Sequence, residues 1–157
     1  SYDRERSLAV MKSGGAGPAG VAALVVVLGL QAVGFAALAD EPLAAGVLVI
    51  ASRAALALTC VRGVPAAAGD GLRSPFAGCV GRPLAALRWT SAAVIAAFVF
   101  ALLGLPWHGV VLGFGVATIV VGLLLRRAVT RLGGVTGDLF GAAIELTLAT
   151  VLLAATA

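Results

Sequence analysis

Asp138 and Glu145 are the acids of "LGGVTGDLFGAAIEL", Leu132 to Leu146, set in a run of apolar residues that continues to Ala157. Their spacing of seven puts them on nearly one helix face, two turns apart, so they line a single stripe. Just before them Gly133, Gly134, Thr136 and Gly137 form a small-residue loop at a predicted helix start. There, unpaired N–H groups favour a phosphate and Thr136 is placed to cap. Two readings stand side by side. One is an anion or metal site handling phosphate; the other is a plain glycine turn whose aspartate complements the helix dipole.

A second cluster, "DRERSLAVMKSGGAGPAG", sets Arg4, Arg6 and Lys12 beside Gly14, Gly15, Gly17 and Gly20. It suits either a phosphate cradle or a positive anchor at a membrane surface. His108 stands without metal-ligand spacing, and Gly69, Asp70 and Gly71 read as a turn.

The elements that hold these residues are set by composition. The chain is 61% hydrophobic and 11% charged, against roughly 25% charged in a soluble domain, which leaves too little polar surface to face water. The sequence predicts an all-α, polytopic membrane protein, one membrane domain over residues 1–157. Five apolar blocks are each near the roughly 20 residues a membrane-crossing helix needs. They run Gly20 to Ala39, Pro42 to Val61, Trp89 to Leu105, Trp107 to Leu125 and Leu139 to Ala157. Asp40, Glu41 and Pro42 make one tight reversal, and Pro106, Trp107 and His108 another, since proline interrupts helical hydrogen bonding and indole favours the interface. The longer break, Arg62 to Arg88, is rich in glycine and proline and is expected to be mostly irregular. Gly109 with Gly113, and Gly137 with Gly141, have the spacing that lets helices approach closely.

Basic residues alternate strictly: before the first block, between the second and third (Arg62, Arg73, Arg82, Arg88), and between the fourth and fifth (Arg126, Arg127, Arg131). This places the N-terminus in the cytoplasm and the chain in the inner membrane. The net charge of +4 therefore reports topology, and no basic–aromatic face suggests nucleic acid. Cys60 and Cys79 fall on the cytoplasmic side, where thiols stay reduced, and lack the neighbours a sulfur-bound metal needs.

Only Arg53 and Glu145 are ionisable and well inside the blocks. A mid-bilayer charge costs about 2.5–3.5 kcal/mol on insertion scales, so each needs a partner, a cavity or a function. Counted from Arg62 and Asp138, they lie roughly 13 and 10 Å from the same membrane edge at 1.5 Å per residue. An Arg53–Glu145 ion pair or shared polar pocket is expected, either as part of a site or as a packing device.

"RERSLAVMKSGGAGPAG", "ASRAALALTCVRGVPAAAGDGL" and "RLGGVTGDLFGAAIEL" occur in this order and resemble the C-terminal two thirds of the cobalamin synthase (adenosylcobinamide-GDP ribazoletransferase) family. The last stretch is the most specific; the third and fourth blocks match only as apolar helices. The resemblance implies a membrane enzyme that uses Mg²⁺ to join adenosylcobinamide-GDP to α-ribazole, or its phosphate, with release of GMP. By the same resemblance Asp138 holds metal or substrate and Glu145 is the acid of the following AIEL. Arg6, Lys12, Arg53, Thr136 and Gly137 bind the phosphates or orient the acids.

Two departures accompany it. Met11 and Lys12 lead into Ser13, Gly14 and Gly15, where the family commonly follows its methionine and basic residue with an aspartate and often serine and arginine. The family's aspartate-rich D-G-x-x-D-x-x-D-G stretch lies upstream of the part that Ser1 begins. A truncated or split enzyme completed by a separate N-terminal segment is therefore expected, the alternative being a binding or scaffold protein without turnover.

Overall fold

The structure, a computed structural model, describes residues 17–65 and 78–157. Its helices are α1 (Pro18–Ala37), α2 (Pro42–Ser52), α3 (Ala55–Thr59), α4 (Arg82–Leu102), α5 (Trp107–Leu132) and α6 (Gly137–Thr156). With α2 and α3 counted as one interrupted span, five helices are long and apolar enough to cross a membrane. The all-α, multi-pass architecture expected from composition is what the chain adopts.

Proline sets several starts. Pro18, Pro42 and Pro83 occupy the first turns of α1, α2 and α4, where a missing N–H costs nothing and a fixed φ suits the helix. This moves one boundary: α4 begins at Arg82, well before Trp89, because Pro83 lies inside its first turn. At the other end α5 continues past Leu125 through Arg126, Arg127 and Arg131. It stops where Gly133 turns left-handed at φ 76°.

The second span is not continuous. At Arg53 and Ala54 the ladder switches to i→i−3 bonds, Arg53 N to Ile50 O at 3.1 Å and Ala54 N to Ala51 O at 3.0 Å. The buried Ser52 hydroxyl also bonds back to Val49 O at 2.8 Å, a contact that bends helices. The break turns Arg53 out to the surface.

α6 is the hub, packed against α5 most extensively and also against α1, α2 and α3. Half of its most apolar window is buried, against 11% for α1, which rests chiefly on α6. Lipid tails are as apolar as leucine, so close van der Waals contact replaces the hydrophobic effect as the cause of association. Small residues make that contact possible. A Cβ on Gly109 would collide with the Ala154 carbonyl oxygen, and one on Gly113 would sit 2.9 Å from Val151 Cα. A Cβ on Gly34 of α1 would meet Leu152 Cβ at 2.7 Å. Gly141 differs from the expectation: nothing lies within 4 Å of its would-be Cβ, so it opens space instead of seating a helix.

The main core gathers Leu48, Phe100, Val110, Val121, Val151 and Leu152, all essentially inaccessible. Trp89 is buried. Its indole donates to Thr118 Oγ1 at 3.0 Å and meets Phe114 edge-on at 5.0 Å, tying α4 to α5.

Candidate functional site

The site expected at the start of α6 is built by a short link. Gly133 ends α5, Val135 is buried, and Thr136 takes the N-cap position with extended backbone, φ −114° and ψ 168°. The link is fixed from two sides. Val135 N donates to Pro65 O at 2.9 Å, and Val135, Ala128 and Leu139 form a small apolar cluster with Val64, Leu124, Leu125 and Phe140. Val64 and Pro65, after α3, thus brace the end of α6 that carries Thr136 and Asp138.

Thr136 does not cap as expected. Its side chain makes no capping hydrogen bond, and its buried Oγ1 has no partner among the described residues. A buried hydroxyl left unbonded costs about 1–3 kcal/mol, so an orphan at this position asks for an explanation. It stands at a helix end whose first N–H groups have no intrahelical partners and whose dipole is positive. Such a helix end is a place where an anion is favoured.

Asp138, in the first turn of α6, is exposed. One turn further Gly141 is also exposed, and one turn beyond that Glu145 is half-buried. The three residues share one face by their spacing. The result is a stripe with an acid at each end and an uncovered glycine at its middle.

Glu145 has a different partner from the one expected. Its Oε2 accepts from Gln31 Nε2 at 2.7 Å, and the same amide donates to the Glu145 carbonyl at 3.2 Å. Among the described residues Arg53 and Glu145 form no ion pair, because the break in the second span carries Arg53 to the surface. Arg6 and Lys12 lie outside the described residues, as do Arg4, Asp70 and Arg73. Gln31 is the residue that the sequence reading missed. Its signal was present: α1 has no other polar side chain, and a lone buried amide in an apolar helix must find a partner.

Among the described residues no group of three potential ligating side chains comes together. A magnesium ion shared with a pyrophosphate needs only one or two protein carboxylates and takes its other oxygens from phosphate and water. Asp138, exposed two residues after the orphan hydroxyl, fits that limited part; a complete protein cage is not what the described residues offer.

The family model of cobalamin-5-phosphate synthase matches residues 1–156. The chain is 49% identical over 154 residues to an adenosylcobinamide-GDP ribazoletransferase of Nocardioides sp., covering 98% of this chain and 58% of that protein. It is 35% identical to the protein of that name in Sinorhizobium medicae, covering 96% of this chain and 59% of the relative. To that in Frankia casuarinae it is 36% identical, covering 96% and 57%. The chain thus spans somewhat under two thirds of the length of these relatives. No solved structure matches it. With the acid stripe and glycine link in place on the last helix, and with the match running nearly end to end, the chain belongs to the cobalamin-5-phosphate synthase family.

Proposed function

We propose that this chain carries the phosphate-handling part of a membrane-embedded transferase joining adenosylcobinamide-GDP to α-ribazole or its phosphate. The observation that supports it most directly is the buried Thr136 hydroxyl at the N-terminus of α6, without a partner among the described residues, two positions before exposed Asp138. In the proposed reaction the acceptor hydroxyl oxygen attacks the cobinamide-linked phosphorus of the pyrophosphate. The new P–O bond forms as the bond to the GMP leaving group breaks, and the hydroxyl proton goes to solvent or to a nearby base.

Thr136 and the first N–H groups of α6, from Gly137 onward, donate to non-bridging oxygens; fixed donors of this kind stabilise charge as it develops. Asp138 would supply one carboxylate to a Mg²⁺ bound with the substrate. When bound, that ion neutralises phosphate charge and favours in-line displacement. Glu145, held by Gln31, lines the deeper end of the stripe, and Arg6, Lys12 and Arg53 contribute positive charge. The alternation of basic residues supports a cytoplasmic N-terminus in an inner membrane, with the site opening to the cytosol.

The test is GMP release with magnesium from adenosylcobinamide-GDP and α-ribazole. It is run with the purified chain, and in a second arm with a co-expressed polypeptide carrying the remaining part of the Nocardioides relative. Release in either arm that falls sharply on Asp138→Asn supports the proposal. Substrate binding without turnover in both arms favours the binding reading instead.

A further inference from the structure

Cys60 and Cys79 are the chain's only cysteines, and the fold brings them close together. A parallel bridge pairs Val61 with Val80 through two backbone bonds, Val80 N to Cys60 O at 3.0 Å and Arg62 N to Val80 O at 2.9 Å. Cys60 and Cys79 each directly precede one residue of the bridged pair, and the two thiols lie close enough to act on one another. At a bridge the two backbones lie about 4.7–4.9 Å apart, within the Cα separation of roughly 4.4–6.8 Å that a disulfide accepts, and each cysteine is one residue from it.

We infer that Cys60 and Cys79 form a redox-sensitive dithiol that closes into a disulfide across the segment joining α3 to α4. The two thiols differ in a way that suits sequential oxidation: Cys79 is exposed and Cys60 buried. Hydrogen peroxide is the natural class of small oxidant for such a pair. The Cys79 thiolate sulfur attacks a peroxide oxygen, the O–O bond breaks, water leaves and a sulfenic acid remains. The Cys60 sulfur then attacks that sulfur, and the displaced hydroxyl leaves as water with the Cys60 proton. Two electrons pass from the sulfurs to the peroxide, and two waters form.

The place of the clip gives it a consequence. It closes the base of the segment that includes Pro65, whose carbonyl holds Val135 next to Thr136. Oxidation would fix the brace against which the start of α6 is set. The proposal stands on pairing geometry alone and is independent of the reaction assigned to the site.

The experiment uses the full chain in detergent, reduced, freed of reductant, then exposed to graded hydrogen peroxide. Intact mass and maleimide–polyethylene glycol labelling are read together. The expected result is loss of two hydrogens per chain and a fall from two labelled thiols to none, without covalent dimer, reversed by dithiothreitol. Cys60→Ser should instead leave a Cys79 sulfenic acid trapped by dimedone. Two thiols still labelled after oxidation, or oxidation appearing only as cross-linked dimer or as sulfinic acid, would overturn the inference; the wild-type reading suffices even where a serine variant folds poorly.

Discussion

One amide group of Gln31 donates both to the Glu145 carboxylate, at 2.7 Å, and to the Glu145 backbone carbonyl, at 3.2 Å. Gln31 is buried on α1, a helix with few other contacts, so this link and the Gly34–Leu152 approach seat it on α6. Gln31→Leu should lower stability by about 1–2 kcal/mol, in the range of polar contacts between membrane helices. Replacing Glu145 by leucine in the same chain should recover much of that loss, since removing both partners leaves no buried group unpaired. Thermal unfolding of the two singles and the double in detergent measures the coupling; strict additivity would mean that the pair is incidental.

Much of this arrangement was legible in the sequence. Block length and hydrophobicity specify five spans because a bilayer leaves a helix little choice. Gly133 and Thr136 mark the α5–α6 link through local backbone preference. The partner of Glu145 was not legible, since it depends on which helices touch, and neither depth nor charge selects Gln31 over Arg53. The break at Arg53 was hidden for a related reason: no proline or glycine announces it, and it follows from Ser52 bonding back to Val49. The Cys60–Cys79 pair was invisible because a single bridge across a long segment makes it.

Thr136→Val separates a structural hydroxyl from a binding one. The variant keeps the shape and removes the buried unbonded oxygen, so stability should hold or rise by up to about 1 kcal/mol. Binding of adenosylcobinamide-GDP should weaken about tenfold, the loss of a hydrogen bond to a charged group of about 1.5 kcal/mol or more. Thr136→Ser should retain affinity. Titration calorimetry in detergent distinguishes them, and a valine variant that binds as tightly as the parent would remove Thr136 from the site.

Asp138→Asn tests the acid at the helix start. Its dipole contribution to stability is only about 0.3–1 kcal/mol, because the side chain is exposed. Turnover in the GMP-release assay should nevertheless fall by about a hundredfold, the scale of losing one electrostatic element of a site. An unchanged melting temperature with an unchanged rate would leave Asp138 as a dipole complement only.

The glycines of α5 and α6 should respond in opposite directions. Gly109→Ala sets a Cβ against the Ala154 carbonyl and 3.0 Å from Ala155 Cα, where only backbone separation gives relief. A loss of about 1–3 kcal/mol is expected from such overpacking. Gly141→Ala meets open space and should gain up to about 1 kcal/mol of helix propensity. If the stripe between Asp138 and Glu145 receives substrate, bulk is tolerated there by the fold and not by the ligand. Gly141→Leu should then keep its melting temperature while binding weakens.

Burial pushes the Cys60 thiol above its ordinary range, and nearby Cys79 adds to the shift, although a hydrogen bond from Thr59 opposes it. The sign is that of a thiol that stays neutral longer as pH rises. The thiolate is the reactive form, so alkylation of Cys60 in a Cys79→Ser chain should keep accelerating at a pH where an unburied thiol has reached its plateau. Removing Cys79 also takes away one of the raising influences, so part of the displacement should relax in that variant and the remainder report burial. Iodoacetamide rates across pH, read by mass spectrometry, give the midpoint. A midpoint at or below that of free cysteine would show that Cys60 is not buried beside the bridge, and would remove the slow thiol from the two-step oxidation.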